Sequence, residues 1–199
     1  MAAEPGQRPS DGYAETPEFE ERIDRVGWLL AAGATITFFL AFVFAYFYLR
    51  SLDNAGLWKP SGVDPPDGWG IAIIACFVVS AIVFWLGAMA SRRGRAWVPA
   101  AGLALLLGLA GCALQALEYA NVPFGPQSGG YASVFYGWTA LYVIVALLAM
   151  YRLETAFAAG VRNRRRRDYP PPVGLIAGAY YWALFAGIGL LAWILLYLV

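Results

Sequence analysis

Five long apolar stretches dominate the sequence, and each is close to the roughly 20 residues with which an α-helix crosses about 30 Å of hydrocarbon. Lipid offers no water to backbone N–H and C=O groups, so a spanning chain must pair them within helices or in a closed barrel. A barrel would need many segments of about ten residues that alternate apolar and polar, whereas residues 101–109 are continuously apolar. The expected fold is therefore an all-α integral membrane protein, a bundle of five transmembrane helices. Composition agrees: 14% of the 199 residues are charged, against about 25% in a soluble domain.

The spans are expected at 26–49, 68–90, 96–117, 131–151 and 173–199, each bounded by charge, Pro or Gly. Residues 1–25 are rich in Pro, Gly, Glu and Asp and carry none of the three parts of a signal peptide. They are expected to form a retained, disordered, acidic cytoplasmic tail. Arginines crowd one side of the predicted membrane: Arg8, Arg22 and Arg25 before the first span, Arg92, Arg93 and Arg95 between the second and third, and Arg152, Arg162 and Arg164 to Arg167 between the fourth and fifth. The opposite side has Arg50 and Lys59. Basic loops stay in the cytoplasm, which predicts a cytoplasmic N-terminus and a C-terminus outside.

The chain contains no histidine, which excludes histidine-ligated haem, copper or zinc within it. Its two cysteines, Cys76 and Cys112, sit alone in apolar runs and are expected to act as small apolar residues. A net charge of +1 with the basic cluster tethered at the membrane argues against nucleic acid as a partner. Spans one, two and five hold no internal Asp, Glu, Lys or Arg. Five spans cannot be divided into equal inverted repeats, so an autonomous transporter is disfavoured.

Glu118 stands out at the end of the third span, with Gln115 on the same helix face and Tyr119 beside it. One reading is a polar cluster that meets a partner helix or a lipid headgroup; the other is a helix end reaching water. The run at Arg162 and Arg164, Arg165, Arg166 and Arg167 would hold anionic headgroups or simply set topology. In the last span Gly174 and Gly178, continued by Ala179, Ala183 and Gly187, would allow a close helix approach.

From Leu114 to Tyr142 the sequence reads LQALEYANVPFGPQSGGYASVFYGWTALY. This resembles the Q-x-x-E-Y, short loop and F-Y-x-x-T of subunit III of the haem-copper cytochrome c and quinol oxidases, in their short five-helix bacterial form. Gln115, Glu118, Tyr119, Phe135, Tyr136 and Thr139 match it position by position. The first span's FFLAFVFAYFYLR, the following Trp58 and Pro60, and Tyr181, Trp182 and Tyr197 in the last span are similar to further motifs of that family.

Other family positions differ. Thr35 stands for a glutamate, Tyr142 and Val145 for histidines, Ala183 and Ala186 for a His and an Asp, and Gly189 for a Trp. These exchanges leave shape while removing polar groups from the bilayer.

The resemblance implies an accessory subunit without cofactors of its own, in the bacterial cytoplasmic membrane. It would sit in a hetero-oligomer with catalytic subunit I and subunit II, which carry haem and copper, and with bound phospholipid. Gln115, Glu118, Tyr119, Thr139, Tyr181, Trp182 and the arginine run are the expected partner or lipid contacts. Alternatives are a subunit III-like partner of a nitric oxide reductase or quinol oxidase, and a stand-alone small transporter or lipid-handling protein.

Overall fold

The computed structural model describes residues 17–53, 56–94, 96–163 and 171–199. They form helices α1 (Pro17–Ser51), α2 (Asp67–Ser91), α3 (Val98–Asn121), α4 (Gly130–Asn163) and α5 (Leu175–Trp193), the last continued by a π-helical turn, Ile194–Leu198. Among the described residues five helices are long and apolar enough to cross a membrane, as the apolar runs predict.

Two helices outrun their predicted spans. α1 starts at Pro17 and so takes in residues 17–25, which the sequence assigns to the tail; residues 1–16 lie outside the described residues. Proline suits a first helical turn, Glu18 and Glu20 oppose the helix dipole there, and Glu21 pairs with Arg25 one turn on at 3.0 Å. α4 runs on past Tyr151 to Asn163 because its added turns keep packing. Leu153 is buried, Phe157 lies over Gly102, and Gly160 leaves room for the Trp97 ring.

α2 and α3 form a tight antiparallel pair in which small residues face large ones. Gly87 meets Ala100, and Gly111 receives the ring of Phe77. α5 lies on α2, and α4 on α3, while α1 rests on α4 and α5. The loop after α1 folds back over the start of α4, whose first free N–H groups would otherwise lack partners. Gly130 N–H donates to Leu57 O at 3.2 Å and Tyr131 N–H to Trp58 O at 2.8 Å.

The described basic residues Arg25, Arg92 and Arg152 share one end of the bundle. There Arg152 of α4 bridges to Asp24 of α1 at 3.1 Å, and Gly174, held at φ +82°, lets the α5 N-terminus pass beside the Asp24 carboxylate. A side chain at Gly174 would overlap that carboxylate and strain the left-handed backbone.

The core is aromatic. Phe39, Phe77, Tyr142, Trp182 and Phe185 meet at the bundle centre, with Tyr142 and Phe185 stacked 4.2 Å apart. α1 stands apart: 11% of its apolar stretch is buried, against 33–44% in the other helices.

Candidate functional site

The predicted polar residues lie inside the bundle. Glu118 is 0% exposed, and Gln115, Thr139, Tyr181 and Trp182 are also buried, leaving only Tyr119 of the α3–α5 set half-buried. The geometry pairs these groups with one another and with neighbouring helices of the same chain. The spacing of Gln115 and Glu118 fixes their shared face but not the direction in which that face turns, and α3 turns it toward the last helix.

Each oxygen of the Glu118 carboxyl group accepts one hydrogen bond. Gln115 Nε2 donates to Oε2 at 2.6 Å, and the Tyr197 hydroxyl, from the π-helical turn, donates to Oε1 at 2.5 Å. Beside this clamp, Thr139 Oγ1 donates to Phe135 O at 2.6 Å. Its one proton is thereby used, so the Tyr119 hydroxyl donates to Thr139 at 2.6 Å and ties α3 to α4. Tyr136 donates to Phe124 O at 2.8 Å and holds the intervening loop. Tyr131 donates to Leu196 O, anchoring the π-helical turn to α4.

A second set of polar links joins other helices nearer the middle. Trp182 Nε1 donates to Ser80 Oγ at 2.9 Å, and Ser80 donates onward to Ala104 O at 2.7 Å, so one hydroxyl connects α5, α2 and α3. Thr35 and Tyr181 share a hydrogen bond of 3.0 Å that fastens α1 to α5. Sequence reasoning passed over Ser80, which lies 0% exposed in a continuous apolar run; a lone hydroxyl in such a run is its only signal. Tyr197 was legible only as a distal aromatic, without its partner.

The small residues of the last helix separate. Gly178 receives the Trp28 ring and Ala179 is buried, whereas Gly187 lies on the outside. Cys76 and Cys112 are free and half-buried. Among the described residues no group of three or more His, Cys, Asp or Glu is placed to hold a metal ion. The run Arg164, Arg165, Arg166 and Arg167 lies outside the described residues.

Fold and site together define a multi-pass helical membrane protein whose buried polar side chains bind its own helices to one another. The family model for cytochrome c oxidase subunit III matches residues 18–199, and the chain belongs to that family. Cytochrome c oxidase subunit 3 of Cyprinus carpio is 29% identical over 176 residues, covering 84% of this chain and 66% of the relative. The subunit of Polypterus ornatipinnis is 31% identical over 182 residues with the same coverage. That of Triticum aestivum is 27% identical over 169 residues, 79% of this chain and 62% of the relative. The chain thus spans slightly under two thirds of the length of these relatives.

Tyr142 and Gly189 fit each other across the α4–α5 contact. The Tyr142 ring occupies the space over Gly189, where an added Cβ would overlap the hydroxyl and lie 2.6 Å from Cζ. That hydroxyl also donates to Phe185 O at 3.1 Å, which fixes the ring. Thr35 makes a polar link to Tyr181. Gly189→Ala is expected to destabilise the protein by about 1–3 kcal/mol, the usual cost of overpacking a fixed core. Tyr142→Phe added to it should recover part of that loss in thermal melts in detergent. A Gly189→Ala protein as stable as the parent would mean that the ring is free to move.

Proposed function

We propose that this chain is a non-redox accessory subunit of a terminal respiratory haem-copper oxidase in a bacterial cytoplasmic membrane. The carrying observation is membership of the cytochrome c oxidase subunit III family through the whole five-helix bundle. In this reading the complex reduces oxygen to water and pumps protons with haem and copper held by subunits I and II. The present chain stabilises the catalytic subunit from the side and holds phospholipid against it.

The interior supports a scaffold role. Gln115, Glu118, Tyr197, Tyr119 and Thr139 are engaged with each other, and Ser80, Trp182, Thr35 and Tyr181 likewise. A chain without histidine offers haem no imidazole ligand. The surface for a partner or for lipid is then the outside of the bundle, above all α1. Its exposed face carries Leu29, Leu30, Phe38, Phe44, Phe47 and Tyr48. Half-buried Tyr119 and the basic run Arg164 to Arg167 are the sequence-predicted contacts that fit this role.

Affinity purification in mild detergent tests the reading. A visible spectrum with haem bands and a large polytopic partner is expected. A colourless preparation of this chain alone, from membranes that retain an intact oxidase, would remove the proposal and favour a stand-alone protein.

Orientation belongs to the same proposal. The end of the bundle that carries Arg25, Arg92, Arg93 and Arg152 faces the cytoplasm, by the retention of basic loops. With Cys76 and Cys112 replaced by Ala, Arg93→Cys should react with an impermeant maleimide only after the inner face is opened. Lys59→Cys should react in intact cells, and the reverse pattern would invert the topology.

A further inference from the structure

A cavity of about 30 Å³ lies where α2, α3, α4 and the last helix meet, and Gln115, Trp138, Thr139, Trp193 and Tyr197 are on its wall. Trp138 is 0% exposed and its indole N–H has no hydrogen-bond partner in the protein; the buried indole N–H of Trp193 has none either. Both side chains border the same small space.

An indole nitrogen only donates, so its partner must accept. A buried donor left unpaired costs about 1–3 kcal/mol, and two donors beside one cavity cannot satisfy each other. The wall also supplies an acceptor. Gln115 uses its amide nitrogen on Glu118, which leaves its carbonyl oxygen able to accept. The occupant must therefore accept from indole N–H groups, donate to an oxygen, and fit a volume in which about 10–15 Å³ suffices for one water molecule. An apolar occupant meets the size condition and fails the other two.

The backbone at this point is unusual as well. Trp193 is the last residue of α5, and the helix widens into the π-helical turn Ile194–Leu198 directly after it. Widened turns of this kind are rare and collect at functional positions. Here the turn carries Tyr197 to Glu118 while Trp193 remains on the cavity wall.

We propose that the cavity is a binding site for resident water, held by the Trp138 and Trp193 indole N–H groups and the Gln115 carbonyl oxygen. The water joins these groups to the Glu118 clamp and completes a polar layer across four helices, at the end of the bundle opposite Arg152. The site is built from this chain alone and does not depend on which complex the protein joins.

Water-edited solid-state NMR of the full chain in lipid bilayers, with the tryptophans labelled at indole nitrogen, tests this. Trp182 is the internal control, because it is also buried but donates to Ser80. The Trp138 indole signal is expected to gain polarisation from water several-fold faster than that of Trp182. Equal, slow gain at both would overturn the proposal. Trp138→Phe, which keeps the ring and deletes the donor, assigns the signal.

A high-resolution density map of the chain in a nanodisc gives a second readout that needs no variant. A water peak within hydrogen-bond reach of Trp138 Nε1 and of a second wall group is expected. A dry cavity in a map that resolves other buried waters, or a Trp138 N–H bonded directly to a protein atom, would refute the site.

Discussion

Glu118→Ala is expected to lower the unfolding free energy by about 2–4 kcal/mol, while Glu118→Gln stays within about 1 kcal/mol of the parent. The alanine removes both acceptors at once, and it leaves the Tyr197 hydroxyl and the Gln115 amide without partners in a site that is 0% exposed. Interhelical hydrogen bonds in membranes average about 0.6 kcal/mol and reach about 1.7. Most of the expected loss therefore comes from stranded donors and the space vacated by the side chain, not from the bonds alone.

Glutamine restores the pattern by a simple exchange. Its carbonyl oxygen accepts from Tyr197, and its amide donates to Gln115 once that amide turns over. Unfolding in a titration of SDS into mild-detergent micelles separates the variants. An alanine variant with the parent's midpoint would show that the clamp does not hold α3 to the last helix.

Phe185→Ala should cost about 3–5 kcal/mol, the range for deleting a large aromatic from a packed core. Phe185 is 0% exposed, stacks on Tyr142 and Trp182 at 4.2 and 5.5 Å, and meets Phe39 and Phe77 edge-on at 6.4 Å. Like Tyr142, it meets side chains of several helices at once, here α1, α2, α4 and its own. Part of the usual penalty reflects transfer from water, which weakens when the unfolded helices remain in lipid. The lost dispersion contacts and the cavity remain, so the lower part of the range is expected. Near-UV circular dichroism should flatten with it, since the fixed aromatic cluster loses its centre. Phe185→Leu, which refills most of the volume, should cost about 1 kcal/mol. Equal losses for alanine and leucine would mean that the stack, and not the filled volume, matters.

How much of this was legible beforehand varies from residue to residue. The helix between Asp67 and Ser91 is marked by an unbroken apolar run closed by Pro66 and Arg92, and its boundaries needed nothing else. The far turns of α4 are helical through contacts distant in sequence, and the first turns of α1 add such a contact to the local signals of Pro17, Glu18 and the Glu21–Arg25 pair. Asp24 meets Arg152, and Gly160 meets Trp97. The family motif pointed to Gln115 and Glu118 but not to the direction of their face, which the fold turns inward.

The sequence by itself determined the class: uninterrupted apolar runs of bilayer length leave the backbone no choice but helices, and the missing histidines remove the usual metal ligands. It also contained the order of motifs that the family shares. Only the tertiary structure decided what the polar residues do. Glu118 and Tyr197 are 79 positions apart, and Trp182 and Ser80 are 102 apart. A residue's helical face follows from spacing of 3.6 per turn, but the partner across that face follows from how the helices cross. In lipid, where all helices are equally apolar outside, small residues, stacked rings and a few buried hydrogen bonds set that crossing.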